Sequence, residues 1–225
     1  MTLSGETSLV ETSLADRLHR CHSSVIYDVM RNNGTPPRVL PRHVRGIDPL
    51  MKCAGPVMTV RGRPDPALSQ HDTLHAWAGV LSKARLGHVL ICQPQDDIRA
   101  LMGGLSAEAL KIKGVRGYIV DGGCRDAQDV VNQDFPVFCR FYSPIDIVGN
   151  WRADAFDEEI IFGPHVVRPS DFVLADRDGI VLIPGTDIEQ VLNAAEAKMS
   201  AEGGMLAAIR AGVDPQEAYM KHRVF

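Results

Sequence analysis

No apolar run in the 225-residue sequence reaches the about 18–20 residues that a membrane-spanning helix needs, which excludes an integral membrane protein of that kind. A basic excess is missing too. The 24 Lys+Arg stand against 28 Asp+Glu, a formal charge of −4, and no stretch concentrates Lys or Arg. That excludes a globally basic nucleic-acid binder. Aromatic residues make up 6% of the chain, and its two tryptophans, Trp77 and Trp151, read as packing residues rather than base-stacking platforms. The five cysteines (Cys21, Cys53, Cys92, Cys124 and Cys139) are odd in number, widely spaced and free of any C-x-x-C. A disulfide framework or structural zinc site is therefore not expected; reduced thiols in a cytoplasmic protein are. All but Cys124 lie beside apolar residues, as small core hydrophobes do. The first twenty residues carry early acids and no continuous apolar segment, so no secretory signal is expected.

What is present is enough for a core: 45% of the residues are hydrophobic and 23% charged. Pro and Gly fall as turn punctuation, and no repeat or flexible linker divides the chain. The expectation is one mixed α/β domain over residues 1–225. A first helix is read over Leu14 to about Arg31, capped by Ser13, with Leu18, Cys21, Val25 and Val29 on one face. Strands are read over 44–47 and 54–60, a helix after Asp72, and a buried strand over 87–92. Residues 105–113 read as a helix closed by Gly114, and 115–120 as a strand opening into Asp121-Gly122-Gly123-Cys124-Arg125-Asp126. A shorter helix and strand follow. The chain then turns β-rich, with turns at Gly163-Pro164 and Arg177-Asp178-Gly179. A long helix over Ile188 to about Ala211 and a short polar tail close it.

The charged loop carries the chemistry. Loops at the carboxyl ends of strands in α/β sheets converge on ligands, and paired glycines let backbone approach closely. Arg125 offers a planar fork for a carboxylate, and Asp126 a hard oxygen for a divalent cation. Being adjacent in sequence, the two are expected to point different ways. By residue type alone a blander reading stands beside this one: Asp126 caps the helix from Ala127 and Arg125 makes a surface ion pair. Upstream, Gly103-Gly104 opens a helix whose first amides, on Leu105 and Ser106, form an anion site. His71 and His75 have a metal-ligand spacing but no third partner, so capping or solvation is the better reading. Cys124 has no neighbouring His to make it a nucleophile.

The stretch from Gly103 to Ala127, the later run from Asp171 to Pro184, and the closing helix resemble the regulator of ribonuclease activity A family. That family includes the 4-hydroxy-4-methyl-2-oxoglutarate / 4-carboxy-4-hydroxy-2-oxoadipate aldolases. The resemblance implies a three-layer swivelling β/β/α domain, assembled as a homotrimer or homohexamer. It implies a class II aldolase using Mg²⁺ or Mn²⁺ on a small 2-oxo acid, with oxaloacetate decarboxylase activity. Carried onto this chain, Asp126 is the metal ligand and Arg125 holds the substrate carboxylate and leaving oxygen. Gly104 and the amides of Leu105 and Ser106 form the substrate cradle, and Glu202 reaches a neighbouring subunit's site through water.

Two positions depart from the aldolase pattern. An acidic residue is expected 21 positions before the Arg, where this chain has Gly104; Asp96, Asp97 and Glu108 are the nearest substitutes. A Lys is expected in the loop after the following strand, where the chain runs Ser143-Pro144-Ile145-Asp146-Ile147-Val148. The alternative function is a non-catalytic member that binds and regulates another protein, such as a ribonuclease. A methyltransferase is disfavoured, because no G-x-G-x-G loop follows the first strand. No nucleic-acid or membrane partner is expected.

Overall fold

A computed structural model of the chain describes residues 3–225, with side chains from residue 11 onward except residue 12. Helices α1 (Leu3–Arg20) and α2 (Ser23–Asn32) come first. The single helix expected over 14–31 is corrected to two, and Ser13 lies inside α1 rather than capping it. The break has a physical cause. Asp176 accepts from the Ser23 amide at 2.8 Å and from its hydroxyl at 2.6 Å. This draws His22 into an extended conformation, φ −105° and ψ 146°. The apolar face survives the break, with Leu18, Cys21, Val25 and Val29 all buried.

Two short strands, β1 (Arg38–Val39) and β2 (Arg45–Gly46), lead into the long β3 (Cys53–Pro64). Helix α3 (Gln70–Lys83) follows, with Ser69 as its cap, and then β4 (Val89–Gln93) and β5 (Ala100–Met102). Next come α4 (Gly104–Ile112), β6 (Gly117–Val120), β7 (Gly123–Cys124) and α5 (Ala127–Asn132). Strands β8 (Val137–Cys139), β9 (Phe141–Tyr142) and β10 (Trp151–Phe156) precede two hairpins. These are β11 (Ile160–Phe162) with β12 (His165–Val167), and β13 (Phe172–Ala175) with β14 (Ile180–Ile183). The chain ends in α6 (Ile188–Arg210) and α7 (Pro215–His222). The short polar tail is thus partly helical. Asp214 accepts from the amides of Gln216 and Glu217, and Pro215 starts the helix with its φ already suitable.

The main sheet runs β1-β14-β13-β3-β4-β6-β8-β2, with β10 also joined to β3. Strand β3 organises it by changing partner along its length. Cys53–Pro56 pair antiparallel with β13, Val57–Arg61 pair parallel with β4, and Val60–Pro64 pair antiparallel with β10. The side-chain alternation of these strands builds the layers. Met58, Leu90, Cys92, Tyr118 and Val120 point into a core shared with α3, α4 and α5. Val57, Val89, Ile91 and Ile119 point the other way, into a core closed by the β11–β12 hairpin and by β13 and β14. The outer face of β13 and β14 carries α1, α2 and α6. This is the three-layer β/β/α arrangement. Strands buried on both faces explain the continuous apolar run read at residues 87–92.

A second, small parallel sheet, β5-β7-β9, stands beyond the carboxyl ends of the central strands. Strand β6 feeds it through Asp121-Gly122, whose Asp121 amide donates to the Cys92 carbonyl at 3.1 Å. Gly123 is obligatory there: a Cβ would stand 2.6 Å from the Phe141 ring and 2.8 Å from the Arg99 carbonyl.

Candidate active site

The small sheet aims two loops at one another. Strand β5 ends in Gly103 and opens α4; strand β7 ends in Arg125-Asp126 and opens α5. They are tied at the backbone, where the Arg125 amide donates to the Met102 carbonyl at 2.8 Å. Asp126 precedes α5 in the left-handed conformation, φ 52° and ψ 33°, and its side chain does not cap that helix. It turns to the other loop, where Oδ2 accepts from the Gly104 amide at 3.1 Å. The capping reading of Asp126 is therefore corrected. The approach depends on Gly103, since a Cβ there would lie 2.8 Å from Asp126 Oδ2 and 3.0 Å from Arg125 Cγ.

Arg125 and Asp126 do not point apart, as their adjacency suggested. The left-handed turn brings them together, with Arg125 Nε 3.5 Å from Asp126 Oδ2. Arg125 Nη1 donates to Asp146 Oδ2 at 3.1 Å. Asp146 is in turn fixed by the Val148 amide, which donates to Oδ1 at 3.0 Å. The guanidinium thus sits between two carboxylates. Sequence reasoning passed over Asp146 as a chemical group; its one signal was an ionisable residue in the segment where a Lys was expected.

These three side chains share a cavity of about 190 Å³ whose remaining wall is mostly apolar, including Leu74, Trp77, Leu101 and Met102. Ser106 lines it as well. Its hydroxyl accepts from Trp77 Nε1 at 2.9 Å, which locks α4 against α3. The first intrahelical bond of α4 runs from the Ala107 amide to the Gly103 carbonyl at 3.0 Å, so the Leu105 and Ser106 amides precede the helical ladder. Gly104, Leu105, Ser106, Arg125 and Asp126 are therefore brought together. Glu202 is not: within the chain it lies on α6, 3.4 Å from Lys198, which also pairs with Asp28.

None of the substitutes named for the missing acid takes the Gly104 position. Asp96 is buried, and its carboxylate accepts from the Ile98 and Arg99 amides and from Arg99 Nη1, each at 2.8 Å. Burial alone would raise its pKa, but those donors outweigh it and hold the group below the ordinary carboxylate value. Asp97 pairs with Arg140 at 2.7 Å, and Glu108 faces solvent outside the cavity lining.

Burial keeps the thiols from solvent and raises four of them; Cys139 alone is lowered, because its hydrogen bond with Cys124 outweighs burial. All five cysteines are buried and free. Burial pushes Cys53 and Cys92 up to about 12. Cys124 is raised too, by its hydrogen bond with Cys139 and by burial, and its Sγ donates to the Arg125 carbonyl at 3.3 Å. His71 and His75 stack at 6.0 Å between centroids on the exposed side of α3. Among the described residues no group of three or more His, Cys, Asp or Glu converges as a metal cage. Asp126 meets a less demanding test: a carboxylate open to a cavity suits Mg²⁺ or Mn²⁺, which keep waters and accept substrate oxygens.

Comparison with known proteins bears on the family and the fold. Residues 23–182 match the family model described as RraA-like: Aldolase/RraA. A Halalkalibacterium halodurans protein named "Putative 4-hydroxy-4-methyl-2-oxoglutarate aldolase" is 29% identical over 175 residues, covering 76% of this chain and 78% of that one. Protein DlpA of Legionella pneumophila is 24% identical over 210 residues; the match spans 92% of this chain but 33% of that longer protein. Among solved structures, Streptomyces coelicolor RraAS2 superposes with a TM-score of 0.75 at 26% identity, covering 88% of this chain and 98% of the other. It is described as an unusual member of the RNase ES inhibitor RraA protein family. Among the described residues no helix is long and apolar enough to cross a membrane.

Proposed function

The chain belongs to the RraA-like aldolase/RraA family, and from that premise we propose a divalent-metal-dependent carbon–carbon lyase. It cleaves a 4-hydroxy-2-oxo acid to release pyruvate, and decarboxylates oxaloacetate at the same site. The observation that carries this reading is the convergence of Asp126, Arg125 and the first turn of α4 on one cavity. A surface ion pair has no need of the glycine that admits the Asp126 carboxylate.

Asp126 is the residue that holds Mg²⁺ or Mn²⁺. When bound, such an ion supplies Lewis-acid polarisation of the 2-oxo group. The Leu105 and Ser106 amides take the pyruvyl carboxylate, where the α4 dipole favours negative charge. Gly104 leaves backbone exposed on that side of the cradle. The Arg125 guanidinium orients the substrate and places positive charge where negative charge grows as the carbon–carbon bond opens. Asp146 positions Arg125 through the Nη1 contact. Trp77 fixes Ser106 and keeps the α4 amides aimed at the cavity. Glu202 completes the site of a neighbouring subunit in a homotrimer or homohexamer, in the cytoplasm.

The test is pyruvate release from 4-hydroxy-2-oxo acids and from oxaloacetate, with Mg²⁺ or Mn²⁺ and after chelation. Metal-dependent release that disappears in Asp126→Asn is the expected result. One observation favours a second reading, a non-catalytic member that binds a protein such as a ribonuclease: position 104 is Gly, and no described acid takes its place. Silence over the whole panel from a folded oligomer favours that reading instead.

A further inference from the structure

The charge on the cavity wall constrains which 2-oxo acid enters. The ionic side chains lining it are one cation, Arg125, and two carboxylates, Asp126 and Asp146. Arg125 is already shared, 3.1 Å from Asp146 through Nη1 and 3.5 Å from Asp126 through Nε. Asp146 cannot swing aside without loss, because the Val148 amide holds its other oxygen at 3.0 Å. The adjoining cavity beyond Arg125, lined by Tyr142, Ser143 and Pro144, adds no further cation. Leu74, Trp77, Ile147 and Val148 make the rest of the first cavity apolar where a substrate's far end would rest.

A 2-oxo acid brings one carboxylate, which the α4 amides and Arg125 satisfy. A second carboxylate beyond C4 would leave water for an apolar wall, with no unshared cationic side chain of this subunit lining it and with Asp146 repelling it. We infer that this site selects 2-oxo acids whose substituent beyond C4 is apolar or uncharged, and that Asp146 is the residue that rejects a carboxylate beyond C4; the C4 carboxylate of oxaloacetate is the group lost at the breaking bond, beside Arg125, and does not reach that wall. The inference rests on the proposed lyase reading for the seat of the first carboxylate. It departs from the dicarboxylate in the Halalkalibacterium protein's name.

Titration calorimetry on the full-length oligomer with Mg²⁺ tests it with two non-cleavable probes, 4-methyl-2-oxopentanoate and 2-oxoglutarate. The wild-type protein should bind the branched monoanion at least roughly tenfold more tightly, and Asp146→Asn should narrow that gap at least roughly fivefold by improving 2-oxoglutarate. Leu74→Lys, on the exposed side of α3, gives an independent check by adding the missing cation. It should also favour 2-oxoglutarate. Equal or tighter wild-type binding of 2-oxoglutarate overturns the inference, as does a gap unmoved by both variants. Failure of the lyase reading looks different: no pyruvate from any 4-hydroxy-2-oxo acid while the binding preference persists. Binding of neither probe overturns both.

Discussion

Gly103 and Gly104 are neighbours with opposite expected responses to the same added methyl group. At Gly103 an alanine Cβ would meet Asp126 Oδ2 at 2.8 Å and Arg125 Cγ at 3.0 Å. The carboxylate must retreat by roughly 0.6 Å to regain ordinary van der Waals separation. It then cannot keep the 3.1 Å bond from the Gly104 amide. Losing a charge-assisted bond at a partly exposed site costs about 1 kcal/mol, or about 2–4 °C in a chain of this length. At Gly104 the nearest atoms to an added Cβ are Gln133 Nε2 at 3.7 Å and Asp126 Cβ at 3.8 Å, so a methyl group fits. Gly104 is the first residue of α4, where Ala gains up to about 0.5 kcal/mol over Gly. Scanning calorimetry should therefore place Gly103→Ala below Gly104→Ala by about 3–6 °C. Mn²⁺ titration should show affinity at least about tenfold weaker in Gly103→Ala alone. Equal melting temperatures, or equal Mn²⁺ affinities, would refute the argument that the absent Cβ at 103 seats Asp126.

The other expectations concern the site and the scaffold that holds it. Asp126→Asn keeps an acceptor for the Gly104 amide and tolerates the left-handed backbone, so it should melt within a few degrees of wild type yet lose at least ~100-fold in metal-dependent turnover. Asp96→Asn should destabilise the chain by about 3 kcal/mol at pH 7 in urea titrations, because it leaves Arg99 beneath the β4–β5 loop without its charge partner. The Asp96 carboxyl is held below its unfolded value, so its contribution is full above pH about 4 and fades as pH falls through the folded pKa. The gap between wild type and Asp96→Asn should therefore shrink in acid; a gap constant from pH 7 to pH 3 would contradict the assignment. Ellman's reagent should find no fast-reacting thiol in the native protein and all five after unfolding in guanidinium. Rapid reaction at Cys124 would show that its burial has been misjudged.

The sequence spoke most clearly where periodicity and turn chemistry are local. The αβ unit from Gly103 to Asp126 was readable because a helix closes on Gly114, a strand of buried residues follows, and its carboxyl end carries glycines beside charges. Gly114 indeed takes φ +72°, which other residues resist. Both β-rich hairpins were readable from Gly163-Pro164 and Asp178-Gly179. The break between α1 and α2 was not, since its cause is an aspartate 153 residues away that takes the Ser23 amide and hydroxyl. Strand β10 was hidden for a similar reason: its half-exposed residues show no clean alternation until β3 is there to pair with them. The α7 helix is a different kind of miss. Its Asp-Pro-Gln-Glu start was a readable cap that the short, polar composition obscured.

The site itself divides along the same line. Arg125 and Asp126 were legible as residue types in a promising loop, but their relation to each other was not. Sequence adjacency suggested divergent side chains, whereas a single left-handed residue at φ 52° folds the carboxylate back toward its neighbour's guanidinium and onto α4. An ordinary L-residue resists that conformation, and aspartate tolerates it better than most. Such strain persists only where the surroundings over-determine it. Here they do, through the Gly104 amide that donates to the carboxylate, the absence of a Cβ at Gly103 that lets the carboxylate lie there, and the Arg125–Asp146 contact that fixes the other flank. The same three constraints that make the backbone tolerable at 126 also leave its carboxylate facing a cavity. Relaxing the strain and losing the chemistry are therefore one event, which is why Asp126→Gly should fold at least as well as Asp126→Ala while neither restores turnover.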